Sequence, residues 1–128
     1  MKILLDTHAA LWYLNEHEKL SQKALSLLLD DQHEQYISIV SLWEIAIKVS
    51  IGKLTELAGG VSELIAQINV TPMELLQLSP AHVEIVESLP YLHGDPFDRA
   101  LIATAKHENM TIMTTDDNIQ KYDVSTIW

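Results

Sequence analysis

Hydrophobic positions follow two rhythms along this chain. Short unbroken runs, such as Ile3-Leu4-Leu5 and Ile112-Met113, alternate with stretches whose apolar residues recur every three or four positions. The first rhythm is that of strands buried on both faces and the second that of amphipathic helices. The pattern predicts strands over Lys2–Leu5, Tyr36–Ile39, Met73–Leu78, Thr111–Met113 and Val124–Ile127. It predicts helices over Thr7–Leu14, Ser21–Asp30 with Ser21 as cap, Ser41 to about Ile51, and Val61–Ile68 after the Gly59-Gly60 break. A further helix opens at Ser79-Pro80 and runs to near Pro90, and Asp95–Glu108 is the most strongly patterned of all. Thr71 to Glu74 also fits a capping box, but the strand pattern from Met73 is the better description. Strands alternating with helices imply an α/β fold: three layers, with a mostly parallel sheet covered on both faces.

Composition narrows this. The chain has 128 residues, enough for one domain over 1–128 and too few for two, with 48% hydrophobic residues and no repeat or linker. There is no cysteine, so disulfides and thiolate metal sites are excluded. No apolar run approaches the roughly 20 residues that span a bilayer, and MKILLDTH lacks the apolar region of a signal peptide. A cytoplasmic protein without a membrane partner is expected. The net charge of -10, from 18 acids and 8 bases, argues against an ordinary nucleic-acid binder. A metal-dependent nuclease escapes that argument in part, because its cations offset the acids at the site.

Four acids stand where apolar segments end or helices begin: Asp6 in LLDTH, Glu44 in SLWEI, Asp98 in DPFDRALIATA and Asp116 in TTDD. Gathered in one place they would repel one another unless a cation held them, which makes a divalent-metal site the leading hypothesis. Each also has a plain structural reading. Asp6 suits an N-cap, and Glu44 sits in a Ser41-x-x-Glu44 capping box and four residues before Lys48. Asp116 suits a turn leaving a strand, with Asp117 as the alternative ligand. Asp98 suits a first-turn acid favoured by the helix dipole, but it shares a stripe with Leu101, Ile102 and Ala105, at the head of a buried face, which makes a functional acid the better reading. Asp95, before Pro96, reads mainly as a cap. Arg99, Lys48 and Lys53 are candidates to touch a phosphate or to pair with the acids. His8 and His93 are candidates for a metal shell, though in a chain of six histidines packing is the commoner role. Trp12, Trp43 and Trp128 read as core or interface anchors.

Taken together, LLDTHAALW, SLWEIAIK, HGDPFDRALIATA and TIMTTDDNI resemble, in order and over nearly the whole chain, the PIN domain, and within it the VapC-like toxins of type II toxin–antitoxin pairs. The resemblance implies an α/β/α domain with a parallel sheet. It implies a Mg2+- or Mn2+-dependent endoribonuclease, commonly a homodimer, inhibited by a cognate antitoxin. Position by position, Asp6, Glu44, Asp98 and Asp116 match the family acids, the last in a T-x-D pattern met by Thr114-Thr115-Asp116. Asp95 matches an acid of this subgroup, and Thr7 and Ser41 match hydroxyl positions that support the ligands. With Arg99 and Thr115 these make the supporting set.

The mechanism expected is attack of a metal-activated water on an RNA phosphodiester, with two metals, if present, about 4 Å apart. The antitoxin would be a protein with a basic, amphipathic segment that places an Arg or Lys among the acids. An aspartyl-phosphate enzyme of the haloacid-dehalogenase type is disfavoured, because the second acid it needs two residues after Asp6 is His8. A non-catalytic acidic domain that binds a basic partner is the alternative, and the net charge suits it.

Overall fold

A computed structural model describes the whole chain, Met1 to Trp128. Five parallel strands form one sheet in the order β3-β2-β1-β4-β5. They are β1 (Lys2–Leu5), β2 (Glu34–Ser38), β3 (Glu74–Leu76), β4 (Thr111–Met113) and β5 (Thr126–Ile127). The helices are α1 (Thr7–Asn15), α2 (Gln22–Leu29), α3 (Ile39–Ser50), α4 (Gly60–Asn69), α5 (Pro80–Ser88), α6 (Pro96–Glu108) and α7 (Asp117–Gln120). A short 3-10 turn, His17–Lys19, joins α1 to α2.

The unbroken apolar runs have the origin their pattern implies. Successive strand side chains point to opposite faces, and both faces are covered. Ile3, Leu5, Ile37 and Met113 pack under α1, α2, α3 and α4 with Ala9, Leu28, Ile45 and Leu64. Leu4, Tyr36 and Ile112 pack on the other side with Leu101, Ile102 and Ala105 of α6 and Ile119 of α7. These are the three layers. None of the helices is long and apolar enough to cross a membrane.

Several boundaries moved. β2 starts at Glu34 because the register pairs Lys2 with Glu34, and it stops at Ser38. There Ser38 turns its hydroxyl to the Val40 N–H at 3.0 Å and caps α3, so Ile39 is helical and Ser41 lies inside the helix. β3 shrinks to the residues that pair with Tyr36–Ser38. The predicted cap at Ser21 is present, and at Ser79 it is a reciprocal box closed by His82. Gly60 takes a φ of 63° at the start of α4, a turn for which a side chain is poorly suited.

The strand order is what positions a site. From β1 the chain moves outward through β2 to β3, then returns to the other side of β1 with β4. Parallel sheets bind ligands at such a reversal, beyond the carboxyl ends of the strands. The residues that follow β1 and β4 are Asp6 and Thr114.

Candidate active site

A cleft of about 120 Å3 opens at this reversal, lined by Asp6, Thr7, His8, Glu44, Lys48, Asp95, Asp98 and Asp116. No hydrophobic side chain lines it. All four acids singled out in the sequence are there, with Asp95 as a fifth.

Asp6 is buried, and each of its carboxylate oxygens accepts one hydrogen bond. Its Oδ1 accepts the Ala9 N–H at 2.8 Å, which caps α1, and its Oδ2 accepts the Thr114 hydroxyl. Thr114 Oγ1 also accepts the Asp116 N–H at 2.9 Å, so one hydroxyl ties the ends of β1 and β4 together. Asp116 caps α7 through Oδ1, which accepts the Asn118 N–H at 2.8 Å, while Asp117 is exposed. The turn and ligand readings of Asp116 are therefore compatible.

Glu44 is held from two sides. Thr7 Oγ1 lies 2.7 Å from Glu44 Oε1 and 3.0 Å from Ser41 Oγ, and Lys48 Nζ lies 3.0 Å from Glu44 Oε2. The capping box proposed for Ser41 and Glu44 does not form, because Ser38 has taken the cap. Ser41 instead sits fully buried against Thr7, and of the two hydroxyls it is that of Thr7 that touches Glu44. Asp95 caps α6, its Oδ1 accepting the N–H groups of Phe97 and Asp98 at 2.9 and 3.1 Å.

Asp98 heads the buried face of α6. Its Oδ2 lies 3.1 Å from His93 Nε2, and no protein group donates to Oδ1. Burial, with Asp95 and Asp116 close by, pushes its pKa up to about 6 against the pull of His93. Burial likewise raises the pKa of Asp6, although the Thr114 and Ala9 hydrogen bonds oppose the shift. Both shifts mean that negative charge is costly here. A donor set made of oxygens, crowded enough to resist ionisation, fits a hard divalent cation better than a soft one.

Two supporting residues are misplaced in the sequence reading. Arg99 neither reaches the cleft nor pairs with an acid. It lies on the far side of α6, buried, with Nη1 donating to Pro90 O and Tyr122 Oη, both at 2.9 Å, and Nη2 to Val86 O at 3.3 Å. Thr115 is exposed and outside the cleft, and the hydroxyl that matters is that of Thr114. The T-x-D spacing already pointed there, since Thr114 holds its first position. His8 lines the cleft, its ring 5.7 Å from Trp12, whereas His93 stands behind Asp98. Trp43 is 60% exposed, with its ring edge-on to Phe97.

A second hollow of about 810 Å3 adjoins the cleft and shares His8 and Lys48 with it. Leu11, Trp12, Leu54 and Leu57 contribute apolar surface to it, and Glu16, Lys19, Lys53 and Glu56 charged groups. Far from both, His82, His107 and Glu108 bring their ligand atoms within 4.8 Å of one another. His82 Nδ1 accepts the Ser79 N–H at 3.0 Å, so the neutral ring carries its proton on Nε2. The atom facing Glu108 then has no lone pair for a metal, and the trio is a helix-end arrangement.

Comparison with known proteins agrees with this geometry. The PIN domain family model matches residues 3–125, and the chain belongs to that family. Ribonuclease VapC22 of Mycobacterium tuberculosis (strain ATCC 25618 / H37Rv) is 28% identical over 127 residues, covering 94% of this chain and 91% of its own. The structure of VapBC2 from Rickettsia felis, bound to a DNA fragment from their promoter, superposes with a TM-score of 0.74 at 20% identity, over 99% of this chain and 98% of that one. FitAcB from Neisseria gonorrhoeae gives 0.68 at 17% identity, over 98% and 96%. At such identities the two structures bear on the fold, a five-stranded parallel α/β/α sheet.

Proposed function

We propose that this chain is a divalent-cation-dependent endoribonuclease and the toxin of a toxin–antitoxin pair. The observation that carries the reading is the cleft itself: five carboxylates and no apolar side chain, at the reversal point of a parallel sheet. The name of the curated relative, a ribonuclease, supports the substrate class. Asp6, Glu44, Asp98 and Asp116 would hold Mg2+ or Mn2+. When bound, the cation lowers the pKa of a water and offsets the charge of the phosphodiester. The chain's own residues do the rest. Thr114 and the Ala9 N–H fix the two oxygens of Asp6. Thr7 orients Glu44, and Lys48, beside it on the cleft wall, offers a cation to a phosphate oxygen.

Purified protein incubated with total RNA in Mg2+ or Mn2+ should generate new RNA ends, mapped by sequencing, that vanish with EDTA. An RNA pool left intact in both cations, by folded protein, sinks the reading.

The antitoxin's basic, amphipathic segment would lie in the adjoining hollow, its apolar side on Leu11, Trp12, Leu54 and Leu57. From there an Arg or Lys passes His8 and Lys48 to reach the acids. Substituting Leu54→Asp should weaken the complex, and an antitoxin that silences the variant unchanged docks elsewhere. A homodimer is also part of the reading. Trp43 and Ile47 on successive turns of α3 and Ile51 just past its end, exposed by 60, 37 and 58%, form an apolar stripe suited to a second copy. Light scattering should give twice the chain mass, reduced to one by Trp43→Glu; a monomer at micromolar concentration refutes it.

A further inference from the structure

Behind the cleft, a hydrogen-bond chain runs through groups that the cation-binding reading does not use. Tyr122 is buried, and its hydroxyl oxygen receives two donors that have no other polarity: Arg99 Nη1–H at 2.9 Å and the His93 backbone N–H at 3.2 Å. Those donors occupy both lone pairs of a hydroxyl. Its single proton must therefore leave toward an acceptor, and the nearest is His93 Nδ1 at 2.8 Å. The His93 carbonyl, at 3.4 Å, is the poorer choice. With Nδ1 accepting, the neutral ring carries its proton on Nε2, and Nε2 lies 3.1 Å from Asp98 Oδ2. The carboxylate demands the same tautomer, since a lone pair on Nε2 would face a second lone pair. Arg99 is itself immobilised by the carbonyls of Val86 and Pro90, so the chain begins at fixed backbone.

We infer that Arg99, Tyr122 and His93 are positioning residues that lock His93 in the Nε2–H tautomer and so hold Oδ2 of Asp98, turning Oδ1 to the cleft. Arg99 thus acts on the site from behind, through two intermediaries. The tautomer is a property of the chain alone. Its effect on cation binding rests on the reading of Asp98 as a ligand, and the two are measured separately.

The tautomer is read by long-range 1H–15N correlation of the histidine rings in the full chain, cation-free, at about pH 8. A proton on Nε2 and an unprotonated Nδ1 at His93 are expected. An Nδ1–H tautomer, or a ring protonated on both nitrogens, overturns the inference. In Tyr122→Phe the carboxylate still asks for Nε2–H, so the tautomer should persist while the ring loses its brace and Mn2+ binding weakens; unchanged Mn2+ affinity in the folded variant removes Tyr122 and Arg99 from the positioning role. Binding is read by Mn2+ titration, with circular dichroism as a check on folding. His93→Ala should weaken Mn2+ about tenfold, the lower range for losing a group that orients a ligand. His93→Gln, whose amide N–H stands where Nε2–H does, should recover most of it. Equal losses in His93→Gln and His93→Ala, both folded, overturn the positioning role. Wild-type protein that binds no Mn2+ overturns the metal reading instead, and the tautomer experiment then decides the inference.

Discussion

Asp6 and Asp98 face the same cleft, and both are held against the preference of burial for a neutral carboxyl, but by different means. Asp6 follows a strand, and sheet register delivers its partner: Leu5 lies opposite Met113, so Asp6 and Thr114 are neighbours by construction. Asp98 stands in the first turn of a helix, and its partner comes from the loop before that helix, braced by a distant tyrosine and a buried arginine. Both oxygens of Asp6 are bonded, whereas Asp98 keeps one unbonded and a pKa near 6. The sheet thus supplies a rigid acid, and the helix an acid whose charge awaits a partner.

The largest effect should come from removing either charge. Asp6→Asn and Asp98→Asn should each cost cleavage on the order of 10^3-fold, since cation stabilisation is worth several kcal/mol. Glu44→Gln should cost less, on the order of 10-fold, because Lys48 and Thr7 already answer that carboxylate. Single-turnover rates rank the three, and full activity in either aspartate variant breaks the assignment.

Next is pH. In the unfolded chain Asp98 titrates near the ordinary carboxylate value, and in the fold near 6. The fold therefore prefers the protonated form, so stability from this group is highest at low pH and is lost as pH rises from about 4 to 6. A metal-free stability gap between Asp98→Asn and wild type should open across that window, to on the order of 2 kcal/mol. Mg2+ should raise the melting temperature more at about pH 7.5 than at about pH 5, because protons and cation compete for the same oxygens. Equal shifts at both pH values would show that Asp98 takes no part in binding.

The smallest effect separates two adjacent hydroxyls. Thr114→Val strands a buried oxygen of Asp6 and should cost about 2 kcal/mol in denaturant unfolding, while Thr115→Val should stay within about 0.5 kcal/mol. If Thr115→Val proves the costlier, the tie between the two strand ends is misread.

What was legible in the sequence follows the same division. Strand-end acids are placed by apolar runs that cannot sit elsewhere in a parallel sheet, so Asp6 and Asp116 could be located from Ile3-Leu4-Leu5 and Ile112-Met113. The Asp98 stripe with Leu101, Ile102 and Ala105 fixed the inward face of α6 equally well. Arg99 was misread because a cation beside an acid looks like a partner of it. One step along a helix turns a side chain by about 100°, and here that step leads to the carbonyls of Val86 and Pro90. The start of α3 was misread because two serines, Ser38 and Ser41, each make a plausible cap, and only the end of β2 decides between them. No local pattern links Tyr122 to His93, which lie 29 positions apart.

The order of the strands also bears on synthesis. β1 is the first strand to be made and occupies the centre of the sheet, yet its pairing with β4 waits for residues 111–113. The bond that closes the cleft joins residues separated by 108 positions. Contacts of such separation form late and slowly, after the loop between them has been closed. A nascent chain that stops short of Asp116 carries three of the four acids and no completed cleft. The cleft is therefore withheld from every copy of the chain whose synthesis has not reached Asp116.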